Sequence, residues 1–415
     1  MYNNISLILD IGNGSVGIIL VNYERSAHGS VPTILYCHRE PLTFLPDIKE
    51  KRLLAAMLEL LKTTLKHLQQ EAAAMLPRNI LGGVHFDHVV CIFSSPWYVS
   101  QTSVVSKESN TPFHITNTLV NELVNKEEVR FADALAQGDY EQHFGSKVVL
   151  LERVLVHTSI NGYEVKKPVG KYGRLLEINL FTSLISEKVL HLVEDIFYHT
   201  FHIREIECYS YALASWNAIR TMFPEASDFV FLDVGGETSD VTITVRGAIT
   251  ETISFPFGRS TILRTLTNTL HISPENAVSF MKMRSIGTLE RDIATDVEKV
   301  LADVADQWTA AFNQTLSAIS KKYNLPKQAF VTVDPDLASF FNGILSRADI
   351  GPALFKGPFS VISIANNTIA SFVRSINKPT QSSTDNSKLL LPPKFLPGIA
   401  DPALAIEAIF LSNKI

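Results

Sequence analysis

The sequence predicts an α/β protein of two duplicated halves with a smaller α+β segment inserted. Three observations carry this expectation. A strand–glycine turn–strand pattern occurs twice, at Ile5–Val21 and at Phe229–Val245. Amphipathic helical patterns follow each of these hairpins. Between them, from about Ser94 to Gly170, the periodicity changes to a polar, charged helix flanked by short strand patterns.

The chain has 415 residues, and domains of ~100–200 residues make two or more of them the expectation. Lys and Arg number 37 against 42 Asp and Glu, a formal charge of −5, which argues against a surface built to attract nucleic acid. A hydrophobic content of 46% excludes wholesale disorder. No apolar run reaches the ~18 residues of a membrane-spanning helix, and the start, Met1–Ser6, has no signal-peptide pattern. The three cysteines, Cys37, Cys91 and Cys208, are scattered and odd in number, so free thiols in a reducing cytoplasm are expected.

In chain order, Ile5–Asp10 is an apolar strand, Gly12-Asn-Gly14 a turn and Val16–Val21 the returning strand. Asp47–Glu50 has the spacing of a capping box, and Leu54, Met57, Leu58, Leu61, Leu65 and Leu68 then recur at helical spacing. Val89–Phe93 is a strand. The inserted segment holds a helix near Asn117–Ala136 and strand patterns at Lys147–Val156 and around Ile160–Tyr163. A strand at Leu175–Leu180 and a helix at Lys188–Phe201 resume the first theme. In the second half, Phe229–Asp233, Gly235-Gly236 and Val241–Val245 repeat the opening hairpin. A long helix follows at about Leu289–Tyr323, then a strand at Ala329–Val333. Asn377–Ser387, with Pro392-Pro393 after it, reads as a loop, and Pro402–Leu411 as a closing apolar helix.

The two hairpins suggest the chemistry. Asp10 and Asp233 each close an apolar strand, and glycines directly beyond leave backbone N–H groups uncovered. Such a turn can wrap phosphate oxygens, and a carboxylate at the strand end is placed to hold Mg2+, usually through water. One such turn is weak evidence. Two of matching layout imply a nucleotide between related halves.

At these residues the sequence resembles the actin-like (ribonuclease H-like) ATPases. Asp10-Ile-Gly-Asn-Gly-Ser15 is similar to their first phosphate loop and Phe231–Asp240 to their second. Within that superfamily the sequence resembles the bacterial cell-division FtsA family. Val156–Gly170 looks like the end of its inserted SHS2 subdomain, Gly247-Ala-Ile and Phe257–Ile262 like the segment after its second phosphate loop, and Glu207–Leu213 like its joining helix. The resemblance implies a first half at 1–85 and 171–205, an insertion at 86–170, a second half at 206–258 and 325–415, and a helical subdomain at 259–324. It implies ATP and Mg2+ as cofactors. Asp10 and Asp233 would lie near the metal, and Gly12, Asn13, Gly14, Ser15, Gly235, Gly236, Glu237 and Thr238 would line the phosphates. Gly258 and Lys282 would complete the nucleotide site, and Glu207 would orient the attacking water. It further implies a cytoplasmic protein that self-associates into filaments and links the tubulin-like protein FtsZ, or a membrane-assembly partner, to the inner face of the membrane. Whether ATP is hydrolysed stays open.

The sequence departs from that pattern in places. Asn13 stands where the family usually has Ser or Thr, and Ser15 where it often has Lys. The glycines expected at the adenosine, in Val331–Asp336, are replaced by Asp334, Pro335 and Asp336, which add bulk and negative charge. The closing helix lacks the basic face of a membrane-lying helix and reads as a core helix. The intact phosphate loops favour the FtsA-like reading, and the missing adenosine glycines favour the alternative, a nucleotide-poor scaffold resembling the PilM family, which docks a peptide of a membrane partner. His85-x-x-His88 and His199-x-x-His202 lack further ligands nearby in sequence, so zinc is not expected there. Asp133, His143 and Ser146 lack the turn of a hydrolase triad. Trp97 and Tyr98 read as core anchors before they read as a partner site.

Overall fold

A computed structural model describes residues 5–26, 29–43, 50–75, 86–136, 147–347, 360–375 and 401–414. The expected capping box at 47–50, His85, His143, Ser146 and the loop at 377–387 fall wholly or partly outside these residues. The chain divides into two compact units, residues 1–94, 194–224 and 363–415 in the first, and 95–193 and 225–362 in the second.

In the first unit, β1 (Ile5–Ile11), β2 (Ser15–Ser26) and β3 (Gly29–Pro41) form an antiparallel meander. β4 (His88–Phe93) pairs parallel with β1, and β9 (Glu207–Ser210) parallel with β4. With β15 (Arg374–Ser375) on β3, the sheet order is β15-β3-β2-β1-β4-β9. Every residue of β1 is buried, which is why it reads as a continuous apolar run rather than an alternating one. Alternate side chains of β3 reach opposite partners. Tyr36 and His38 meet α1 (Glu50–Met75), while Arg39 meets the start of α10 (Pro402–Ser412). α10 also packs on α4 (Tyr211–Met222) and on the short α9 (Asn366–Ile369). It is buried from Leu404 to Leu411, Glu407 included, as a helix apolar on nearly all sides must be.

The second unit repeats this sheet. β10 (Phe229–Val234), β11 (Ser239–Val245) and β12 (Ala248–Phe255) form a meander, and β13 (Gln328–Val333) runs parallel to β10. With β14 (Ser360–Ser363) the order is β12-β11-β10-β13-β14. Strand for strand this is the arrangement β3-β2-β1-β4-β9 of the first unit, so the halves are duplicated in topology. Helices α5 (Arg259–Leu270), α6 (Pro274–Ser285), α7 (Arg291–Ser320) and α8 (Ala338–Leu345) complete this half. Trp308 of α7 anchors them, donating from Nε1 to Ser239 Oγ at 3.2 Å and stacking on Phe312.

The insertion is a sheet of order β5-β8-β6-β7, from β5 (Tyr98–His114), β6 (Val148–Ile160), β7 (Tyr163–Glu164) and β8 (Tyr172–Ser186). α2 (Asn117–Ala136) covers one face, where Val120 and Val124 share a core with Leu176, Ile178 and Leu180 of β8. β8 therefore pairs within the sheet of the insertion, whereas the resemblance implied that 171–205 belong to the first half. Its apolar alternation suits a strand under one helix, and periodicity alone does not say which helix. α3 (Glu187–Phe201) follows β8 directly, with Val189, Val193 and Phe197 buried. The insertion clusters with the second half of the chain, where Ser100 Oγ meets Thr252 Oγ1 of β12 at 2.7 Å. Residues 363–415 cluster with the first unit instead of the second half. Trp97 and Tyr98 are buried.

Candidate functional site

The two glycine turns have the same local construction. In the first unit the Gly12 N–H donates to the Ser15 carbonyl at 3.1 Å, and in the second the Gly235 N–H donates to the Thr238 carbonyl at 2.9 Å. Each glycine lies two residues beyond the strand-end aspartate, Asp10 or Asp233.

In the first unit, Asp10, Gly17 and Arg39 form one cross-strand row over β1, β2 and β3. The middle residue has no side chain, so Arg39 lies across it. A Cβ on Gly17 would stand 2.9 Å from Arg39 Nη2 and 2.9 Å from Leu404 Cδ2. Arg39 Nη2 reaches Asp10 Oδ2 at 2.6 Å, and Nη1 donates to Ser15 Oγ at 2.8 Å. Its Nε donates to Asp401 Oδ2, and Nη2 is 3.2 Å from Asp401 Oδ1. Asp401 also caps α10, accepting from the Leu404 N–H at 3.0 Å. Burial pushes the Asp10 carboxyl up and Arg39 pulls it down, while the two carboxylates hold the Arg39 guanidinium charged. Asn13 is buried at the tip of the turn, and the Gly14 carbonyl accepts from the Leu42 N–H at 2.8 Å.

In the second unit, Asp233 accepts a hydrogen bond from the Thr332 hydroxyl of β13. The carbonyls of Gly235 and Gly236 accept from the Arg259 and Ser260 N–H groups at 2.9 and 2.7 Å. The turn thus caps α5, and these first N–H groups of the helix are engaged by protein oxygens rather than directed at an anion. Gly258, the N-cap, packs against those same carbonyls. Glu237 is buried and held by Arg264 at 2.7 and 3.1 Å. Arg259 pairs with Asp336 at 2.6 Å and with Asp334 at 3.0 Å. Those are the acidic residues standing where adenosine glycines were expected.

The structure brings Asp10, Gly12, Asn13, Gly14 and Ser15 together in one turn, and Asp233, Gly235, Gly236, Glu237, Thr238 and Gly258 around the other. Glu207 is not beside Asp10. It lies two strands away, level with Ile8, at strand spacings of ~4.8 Å each. It is exposed and bonded to His88 at 2.8 Å and Tyr209 at 2.9 Å. Lys282 is an exposed residue in the last turn of α6. The arginines were missed by sequence reasoning. Arg39 carries no motif, and its role follows from a register that puts glycine between it and Asp10.

At the first turn Arg39 takes Asp10 Oδ2, while Asp10 Oδ1 is buried without a hydrogen-bond partner among the described residues. A strand-end carboxylate that takes Mg2+ needs an open side toward the metal and its waters. The Asp10 carboxylate and Ser15 hydroxyl instead receive the Arg39 guanidinium, and Asp334 and Asp336 are held on Arg259.

No protein-family profile matches the sequence, and no curated protein matches it. Among solved structures, the chain is similar to one titled PilM–PilN type IV pilus biogenesis complex, with TM-score 0.60 and 11% identity over 99% of this chain and 98% of that one. It is also matched to the ethanolamine utilization protein EutJ of Carboxydothermus hydrogenoformans, with TM-score 0.44 and 11% identity over 87% and 85% of the two chains. A Bacteroides thetaiotaomicron protein with actin-like ATPase fold matches with TM-score 0.40 and 10% identity over 88% and 93%. Together with the duplicated sheet order, the first match establishes the fold, and the chain has the actin-like, ribonuclease H-like architecture with an inserted α+β subdomain.

Proposed function

We propose that this chain is an actin-fold scaffold of a membrane-associated assembly, comparable to PilM beside PilN, and that it works without a magnesium–nucleotide. The observation that carries the reading is Arg39, whose guanidinium joins Asp10, Ser15 and Asp401. A largely buried arginine between two carboxylates supplies the charge that a metal would otherwise supply. Among the described residues no helix is long and apolar enough to cross a membrane, so recruitment through a partner suits this reading. A second reading, an FtsA-like polymer that binds ATP and links FtsZ to the membrane, draws on the matched glycine turns.

The two readings differ in what membranes require. Purified chain is mixed with membranes from its native cell, either with millimolar Mg-ATP or after enzymatic removal of nucleotide, and then sedimented. The scaffold reading expects the same amount of chain in the pellet in both cases. Binding that depends on Mg-ATP, or no binding at all, contradicts it.

A further inference from the structure

On the face of β3 opposite Arg39, three side chains converge. His38 and Glu40 are two residues apart on the strand, and His67 comes from α1. One ligand atom from each lies within 4.8 Å of the other two. His38 Nε2 is 3.1 Å from Glu40 Oε2, and the rings of His38 and His67 meet edge to face at 5.6 Å between centroids. One turn along α1 from His67, Glu71 accepts from the Tyr36 hydroxyl at 2.9 Å. That bond ties α1 to β3 beside the cluster, so the backbones bearing the three groups are held together without any ion.

We infer that His38, Glu40 and His67 form a binding site for a divalent transition metal, Zn2+ by its ligand chemistry. Two imidazoles and one carboxylate are a donor set used for zinc with a further position left to water. Imidazole nitrogen disfavours Ca2+ and Mg2+, which take oxygen donors. Bonds of ~2.0–2.2 Å in a tetrahedron put ligand atoms roughly 3.4 Å apart. The His38–Glu40 pair already approaches that spacing, and rotation of the His67 ring closes the rest. His38 and Glu40 side chains are 30% and 33% exposed, which leaves solvent access for the ion and for a bound water. The histidine spacings visible along the sequence, at 85 and 88 and at 199 and 202, gave no hint of this cluster, because its members meet only when α1 lies on β3.

The test is uptake of Zn2+ by the full chain, measured by calorimetry, with Co2+ as a spectroscopic probe of coordination. Wild type is expected to bind one Zn2+ saturably at micromolar concentration and to give visible Co2+ bands. His67→Gln and Glu40→Gln are expected to lower the affinity at least tenfold and to weaken those bands, while His199→Gln leaves both unchanged. Metal-free melting temperatures equal to that of wild type establish that the variants are folded. Glu40→Gln preserves shape at a partly exposed position and serves if His67→Gln is unstable. Absence of saturable uptake by wild type, or uptake by both ligand variants equal to that of wild type, overturns the proposal.

Discussion

Arg39→Met is expected to destabilise the first unit by about 3–5 kcal/mol, the usual consequence of removing one partner from a buried ion pair. The substitution keeps the aliphatic stem but leaves Asp10 and Asp401 facing each other without a cation. Their side chains are only 6% and 13% exposed, so water cannot replace the guanidinium fully. The pH dependence has a definite sign. Burial sets the Asp10 carboxyl above its ordinary range even with Arg39 present. A carboxyl whose folded-state pKa is raised contributes stability that is present below the unfolded value and lost as pH rises through the folded value. Without Arg39 that folded value moves higher, so the deficit is largest at neutral pH and shrinks in mild acid. Adding Asp10→Asn to Arg39→Met recovers much of the loss. Urea denaturation of the single and double variants at neutral and mildly acidic pH measures all three effects. A single variant as stable as wild type at neutral pH contradicts the account of this cluster.

Gly258→Ala is expected to destabilise the second unit by about 2–3 kcal/mol, toward the upper end of what overpacking costs. The backbone there is extended, with φ −137° and ψ −164°, so the requirement for glycine comes from space and not from a left-handed conformation. A Cβ would stand 2.5 Å from the carbonyl oxygens of both Gly235 and Gly236. These are backbone atoms already bonded to the first N–H groups of α5, and they cannot swing aside as a flexible side chain would. The methyl group must therefore push the turn away from the helix and weaken the capping bonds. Denaturation midpoints of the variant and wild type decide the point, and equal midpoints contradict it.

The fold was legible where the sequence repeats a rule. Two apolar strands that each close in aspartate and turn on glycine showed the first two strands of each meander, though not β3 or β12, and the phase of Val297, Val300, Val304, Trp308 and Phe312 showed α7. The apolar run of Pro402–Leu411, broken only by Glu407, pointed to a core helix, which packs on α4 as well as on the first sheet. The assignment of β8 was not legible, because Leu176, Ile178 and Leu180 alternate in a way that any half-covered sheet would produce. β5 was missed for the opposite reason, being largely polar with few buried residues along its length.

The site was legible only at the level of its turns. Residues adjacent in sequence, such as Gly12–Ser15, announced themselves. The charges that govern them did not. Arg39 and Asp401 are 362 positions apart, and Arg259 and Asp336 are separated by 77. Such pairings depend on register and helix docking, which no local pattern encodes. The same holds for His67 beside His38 and Glu40.

Calorimetric titration of the full chain with Mg-ATP tests the central claim, that Arg39 occupies Asp10, the carboxylate a magnesium–nucleotide would use at the first turn. The account predicts no saturable heat up to millimolar Mg-ATP, for wild type and for Asp10→Asn alike. Saturable binding by wild type at micromolar concentration, abolished in Asp10→Asn, would contradict it.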